Sequence, residues 1–250
     1  MAVAGLPRHF LVGGGGVAVV QFAILGSLQA TSDRGPVSLG GLRERVILGV
    51  LLADSGRMVP LERLVDAVWE EHPPTTAVKQ VRNAVSRLRL VLAGHGIPDA
   101  IVAEGAGYRL AVAEGDVDAQ VFEARVTAAK RAGQAGELTE AVETLQSALA
   151  LWRGPLLAGL SGRVVEVAAT AWEEQRRSAQ DACYEHMLAL GRHDEIVAEL
   201  WAVVADDPLA ERPAGQLMRA LYGCGRQADA LQVYHDSRAA LAEQLGLDPG

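Results

Sequence analysis

The 250-residue chain is poor in aromatics, at 4%, and has only two cysteines, Cys183 and Cys224. Neither belongs to a CxxC pair, so a zinc knuckle and a redox pair are both unsupported, and each reads as a small core residue of a reducing compartment. No uninterrupted apolar run reaches the ~18 residues that cross a bilayer, because Pro7 and Gly13–Gly16 break the apolar start. That start also lacks the charged beginning and small-residue cleavage site of a secretory signal. We therefore expect a cytoplasmic protein, with residues 1–16 a disordered leader and the glycines a flexible tether; no GK[ST] follows them as a phosphate loop requires. The six histidines form no HExxH, and GxSxG and P-loop motifs are missing, so no enzyme, metal or cofactor is expected.

One further absence is local. Residues 73–94, PPTTAVKQVRNAVSRLRLVLAG, contain four cations and no acid, although the chain carries a formal net charge of −8. Residues 1–110 hold 11 Lys/Arg and 9 Asp/Glu, whereas residues 111–250 hold 12 and 22. That asymmetry argues for two domains with different partners.

What is present is mostly Ala, Leu and Val, a composition that favours helices packed through small residues. Residues 17–28 are β-branched and apolar and read as a strand, with a second, shorter one at 37–41 after the turn SDRGP. From Arg43 the period becomes helical, through Val46, Leu48, Leu51 and Leu52, and stops near Ser55-Gly56. Pro60 suits the first turn of a second helix whose stripe is Leu61, Leu64, Val65, Val68 and Trp69, ended by Pro73-Pro74. Thr75 or Thr76 suits the cap of a third helix. At 100° per residue its apolar face is Val78, Val81, Val85, Leu88 and Leu92. Lys79, Gln80, Asn83, Ser86 and Arg87 point the other way, and Arg82 and Arg89 flank the stripe; the outward Leu90 does not fit the wheel. Residues 101–113, IVAEGAGYRLAVA, read as a hairpin.

Sheet, three helices and hairpin make a helix-turn-helix with a wing. An α-helix fits the major groove, where Lys, Arg, Asn and Gln reach phosphates and base edges and an acid is repelled. The candidate DNA-binding residues are Thr76, Lys79, Arg82, Asn83, Ser86, Arg87, Arg89 and Arg109. The competing assignment makes Arg87 and Arg89 internal ion-pair partners, with Glu62 or Asp66.

From about Asp116 the chain reads as helical. Three segments share offsets of four and seven: Ala141, Leu145 and Ala148; Ile196, Leu200, Val203 and Pro208; Ala230, Tyr234 and Ser237. From 196 to 230 is 34 residues, the tetratricopeptide period, and the 55 from 141 to 196 leave room for a Pro/Gly turn around WRGPLLAGLSGRVVE and a longer helix. Such repeats bind proteins or peptides. The alternative function is a repeat adaptor whose winged helix contacts protein instead of DNA.

The stretch from LLADSGRMVP to VSRLRLVL, with Gly107-Tyr108-Arg109-Leu110, resembles an OmpR/PhoB-type winged helix. The sequel, including LWRGPLLAGL and Leu221-Tyr222 through Gly225-Arg226-Gln227, resembles a bacterial transcriptional activation domain. Together, over roughly residues 20–250, they resemble the Streptomyces antibiotic regulatory proteins (SARPs). The resemblance implies a mainly α fold with small β: a disordered leader at 1–16, a winged helix over 17–113 and a tetratricopeptide-like domain over 114–250. It also implies an activator of a secondary-metabolite gene cluster that binds direct repeats of double-stranded promoter DNA near the −35 region, as a dimer or side-by-side protomers. RNA polymerase, through its sigma factor and alpha subunits, is the implied second partner. The third helix would enter the major groove with Lys79, Arg82, Asn83 and Arg87, and Arg109 on the wing would reach an adjacent backbone or the minor groove. Glu104 departs from the pattern, since related wings often carry Arg there. The winged helix is expected to lack a phosphorylatable receiver domain before it, and the family usually continues past the closing GLDPG.

Overall fold

A computed structural model describes residues 20–246, so the expected leader and the last four residues lie outside the described residues. The chain opens with a small antiparallel sheet in the order β1-β2-β3, made of β1 (Gln21–Ala23), β2 (Gln29–Ser32) and β3 (Gly35–Pro36). The turn at Asp33-Arg34 joins the last two, and Ser32 Oγ fastens it by accepting from the Arg34 amide and donating to the Gly35 carbonyl, both at 3.2 Å.

Of the strand expected over 17–28, residues 17–19 lie outside the described residues; within 20–28 the strand covers only Gln21–Ala23, and its continuation has a different partner. The amides of Ile24 and Leu25 donate to the two carboxylate oxygens of Asp118 at 2.8 and 3.0 Å. The carbonyls of Ile24 and Leu25 accept from the amides of Leu157 and Arg153. With these groups satisfied by the helical half, no neighbouring strand is needed. The strand expected over 37–41 is also absent: those residues are irregular, and the pairing falls within the turn as β3.

Next come α1 (Leu42–Ala53), β4 (Met58–Pro60), α2 (Leu61–Trp69), α3 (Ala77–Gly94), β5 (Ile101–Glu104) and β6 (Gly107–Leu110). The strand β4 was not expected. It pairs with β6 to make a second sheet in the order β4-β6-β5, and Pro60 ends that strand at the N-cap of α2 instead of entering its first turn. The same helix stops at Trp69, where Glu70 takes a positive φ of 53°, several residues before the proline pair. The side chains of Ile47, Leu48, Leu51, Leu52, Leu64 and Leu88 are fully buried where the three helices meet. Each such burial contributes roughly 1.5–3 kcal/mol.

The helical half comprises α4 (Asp118–Gln134), α5 (Leu138–Leu149), α6 (Arg163–Ala189), α7 (His193–Asp206), α8 (Glu211–Gly223) and α9 (Gln227–Leu245). The long helix expected after the Pro/Gly turn is the 27-residue α6. Antiparallel pairs turn at Gly136, Gly191 and Gly225, each with φ between 74° and 81°, a left-handed geometry that glycine adopts without a Cβ clash. The last two are spaced as the repeat predicts. Ala141, Leu145, Ala148, Ile196, Leu200 and Ala230 are buried as repeat-packing residues should be. Tyr234, the counterpart of Leu145 and Leu200, is instead 37% exposed, on α9, the last described helix. One hydrophobic core runs through both halves, from Leu25, Leu48 and Leu64 to Leu157, Leu200 and Leu217. Among the described residues no helix is long and apolar enough to cross a membrane.

Candidate nucleic-acid interface

The 18-residue α3, about 27 Å long, lies on the first two helices through Ala77, Val81, Ala84, Val85, Leu88 and Leu92. This is the expected stripe with two differences: Val78 is 42% exposed, so that Ala77 makes the first-turn core contact, and Ala84 joins the buried face. The opposite face presents Lys79, Arg82, Asn83, Ser86 and Arg87 to solvent, with no acid on the helix.

Those side chains are not equivalent. Lys79, Arg82 and Asn83 are exposed and, among the described residues, have no side-chain hydrogen bond or ion pair. Ser86 Oγ donates back to the Arg82 carbonyl at 2.9 Å within its own helix. Arg87 Nε donates to Glu44 Oε1 at 2.7 Å, and its terminal nitrogen closes an ion pair with the same oxygen. Burial alone would raise the Glu44 pKa, but hydrogen bonds from its own backbone amide and from Arg87 outweigh that and hold it below the usual value. The Arg87 side chain remains 58% exposed, so one edge is anchored and the remainder faces outward.

Arg89 turns away from this face. Its Nε donates to the Ile101 carbonyl at 2.7 Å, and its guanidinium lies 5.6 Å from the Tyr108 ring centroid. It ties α3 to the wing. The internal partners of the two arginines are thus Glu44 and a strand carbonyl, in place of the expected Glu62 or Asp66.

Thr76 sits at the N-cap but makes no capping bond, which corrects the expected role. Its φ and ψ of −94° and 5° lie outside the extended region a capping side chain needs to reach the amides ahead. Instead Thr76 Oγ1 accepts from Gln80 Nε2 at 2.9 Å, and Gln80 Oε1 accepts from Arg43 at 2.6 Å. Arg43 also lies 5.4 Å over Trp69 at the end of α2. This relay fixes the start of α3 against both preceding helices.

On the wing, Arg109 Nε donates to Glu104 Oε2 at 2.6 Å. Both side chains are substantially exposed, and such a pair is worth at most ~1 kcal/mol, little enough for a phosphate to displace the carboxylate.

Sequence reasoning missed Glu44 and Arg43 as organisers of the face. An acid in the first turn of α1 was the visible signal for Glu44, but its partner stands 43 positions away.

The family model described as "Transcriptional regulatory protein, C terminal" matches residues 36–110, and that described as "Bacterial transcriptional activator domain" matches 117–250. The regulatory protein AfsR of Streptomyces coelicolor is 39% identical over 231 residues, which cover 92% of this chain and 23% of AfsR. The transcriptional regulator RedD of the same organism is 35% identical over 230 residues, 86% of this chain and 65% of RedD. The structure of Mycobacterium tuberculosis EmbR in complex with a low-affinity phosphopeptide superposes with a TM-score of 0.88 at 38% identity, covering 93% of this chain and 62% of that one.

Proposed function

From the premise that this chain belongs to the SARP family of transcriptional regulators, we propose that it binds promoter DNA with α3 in the major groove and activates transcription. The observation that carries the reading is the acid-free outer face of α3, where Lys79, Arg82 and Asn83 stand exposed and, among the described residues, without side-chain partners. Cations on such a face neutralise phosphates, and an Asn reaches adenine edges. Arg87, steadied by Glu44, meets the backbone beside them, and Arg109 exchanges Glu104 for a phosphate where the wing approaches the duplex.

The rest of the reading follows the family. Side-by-side protomers occupy direct repeats near the −35 region of a secondary-metabolite promoter, and the acidic helical half engages RNA polymerase through its sigma factor and alpha subunits. The protein acts in the cytoplasm, and no catalytic step is part of the reading. Footprinting on the promoters around the gene tests it. Protection of two directly repeated segments one or more helical turns apart is expected. Absence of any protected segment, with the protein folded, would refute it.

A further inference from the structure

We infer that Val78 is a specificity residue that packs against the 5-methyl group of a thymine in the major groove. The inference rests on the DNA-binding reading above. Valine is the second residue of α3 and is 42% exposed, although the helix period assigns it to the core. Ala77 takes the buried position, and Val78 is left at the rim of the cationic face. Its neighbours there are Lys79 and, one turn on, Arg82, both exposed and without internal partners among the described residues.

Cα–Cβ bonds tilt toward a helix N-terminus, so first-turn side chains project past the end of α3, the end that reaches base edges in a helix-turn-helix. Among the groups that base pairs present in the major groove, the thymine methyl is the apolar one that an aliphatic side chain reads. A β-branched side chain is stiff at χ1 and loses little freedom on contact. A single exposed valine is ordinary on a protein surface. Here its setting is specific: the two exposed cations beside it bring the duplex to this end of the helix, and burial of the methyl pair then adds sequence preference to a contact that charge alone leaves unselective.

The test uses the whole chain and a duplex selected from a randomised pool. Each dT is replaced in turn by dU, which removes only the 5-methyl group. One replacement should weaken wild-type binding about four-fold, the ~0.8 kcal/mol of one buried carbon converted to affinity. Val78→Ala should bind the dT and dU duplexes equally, with an unchanged melting temperature. Val78→Thr, which keeps one methyl, should retain part of the discrimination. Indifference of the wild type to every dT→dU change, or full discrimination by Val78→Ala, would overturn the inference while salt-dependent binding leaves the DNA reading intact. If no duplex is bound, that reading fails and this one with it.

Discussion

Replacing Asp118 by alanine should loosen the junction between the two halves. This carboxylate is 3% exposed and accepts the amides of Ile24 and Leu25 and, at 3.4 Å, a guanidinium nitrogen of Arg153. In Asp118→Ala the two buried amides have no acceptor, at about 1–3 kcal/mol each. Relief of the buried charge offsets part of that cost, which leaves a loss of about 2–4 kcal/mol. Against a total stability of about 5–15 kcal/mol the change is large, equivalent to roughly 4–16 °C in melting temperature for a chain of this size. Asp118→Asn keeps one acceptor and should lose about half as much. Burial also pushes the Asp118 pKa above its usual 3.8, with the two amides and Arg153 opposing. The folded state therefore holds this proton where the unfolded chain has released it, and this group's contribution to stability declines as pH rises through the carboxylate range. Asp118→Asn should remove that component. Urea titrations followed by circular dichroism and tryptophan fluorescence give the numbers. A loss below ~1 kcal/mol for Asp118→Ala would show that the carboxylate is not what fastens the segment after β1 to α4.

Further outcomes follow from the same structure. Glu44→Gln removes the charge that anchors Arg87 while preserving the shape of the side chain; binding to all duplexes should fall about two- to five-fold, the equivalent of ~0.4–1 kcal/mol, as anisotropy titrations would report. Asn83→Ala should relax preference at one base pair, by about 1–3 kcal/mol of discrimination, whereas Arg82→Ala should weaken binding more evenly across sequences; competition binding with single-site variants of the duplex separates the two. The Cys183 thiol is raised by burial, and further by Glu199, from the ordinary 9.0 to about 11, against a smaller lowering by Arg192. Unfolded chains ionise it first, so stability should fall as pH rises from about 9 to 11, by ~2–3 kcal/mol, and Cys183→Ala should flatten that stretch of the melting profile.

The helices were legible because their burial is periodic and local. The stripes of α1 and α2 could be read from the spacing of Leu and Val, and the joints at Gly136, Gly191 and Gly225 from recurrent Gly-rich turns. The first strand was overextended because its apolar residues looked continuous. What ends it is a carboxylate 94 positions away, which no local window contains. The short strand β4 carries too few residues for a strand pattern and exists because β6 offers it a ladder. The outward face of α3 was visible as an acid-free run, but the partition of its cations was not. Arg87 and Arg89 have similar neighbours in sequence and opposite fates in space, since one meets Glu44 and the other the wing. The Thr76 cap failed on backbone angles alone, which residue identity does not fix.

The salt dependence of DNA binding measures the account most directly. If Lys79, Arg82, Arg87 and Arg109 each neutralise one phosphate, log K against log salt has a slope near −3.6, and removing Lys79 or Arg82 lowers its magnitude by about one. A slope near zero, or one that neither substitution changes, would mean that the cationic face of α3 does not meet a phosphate backbone.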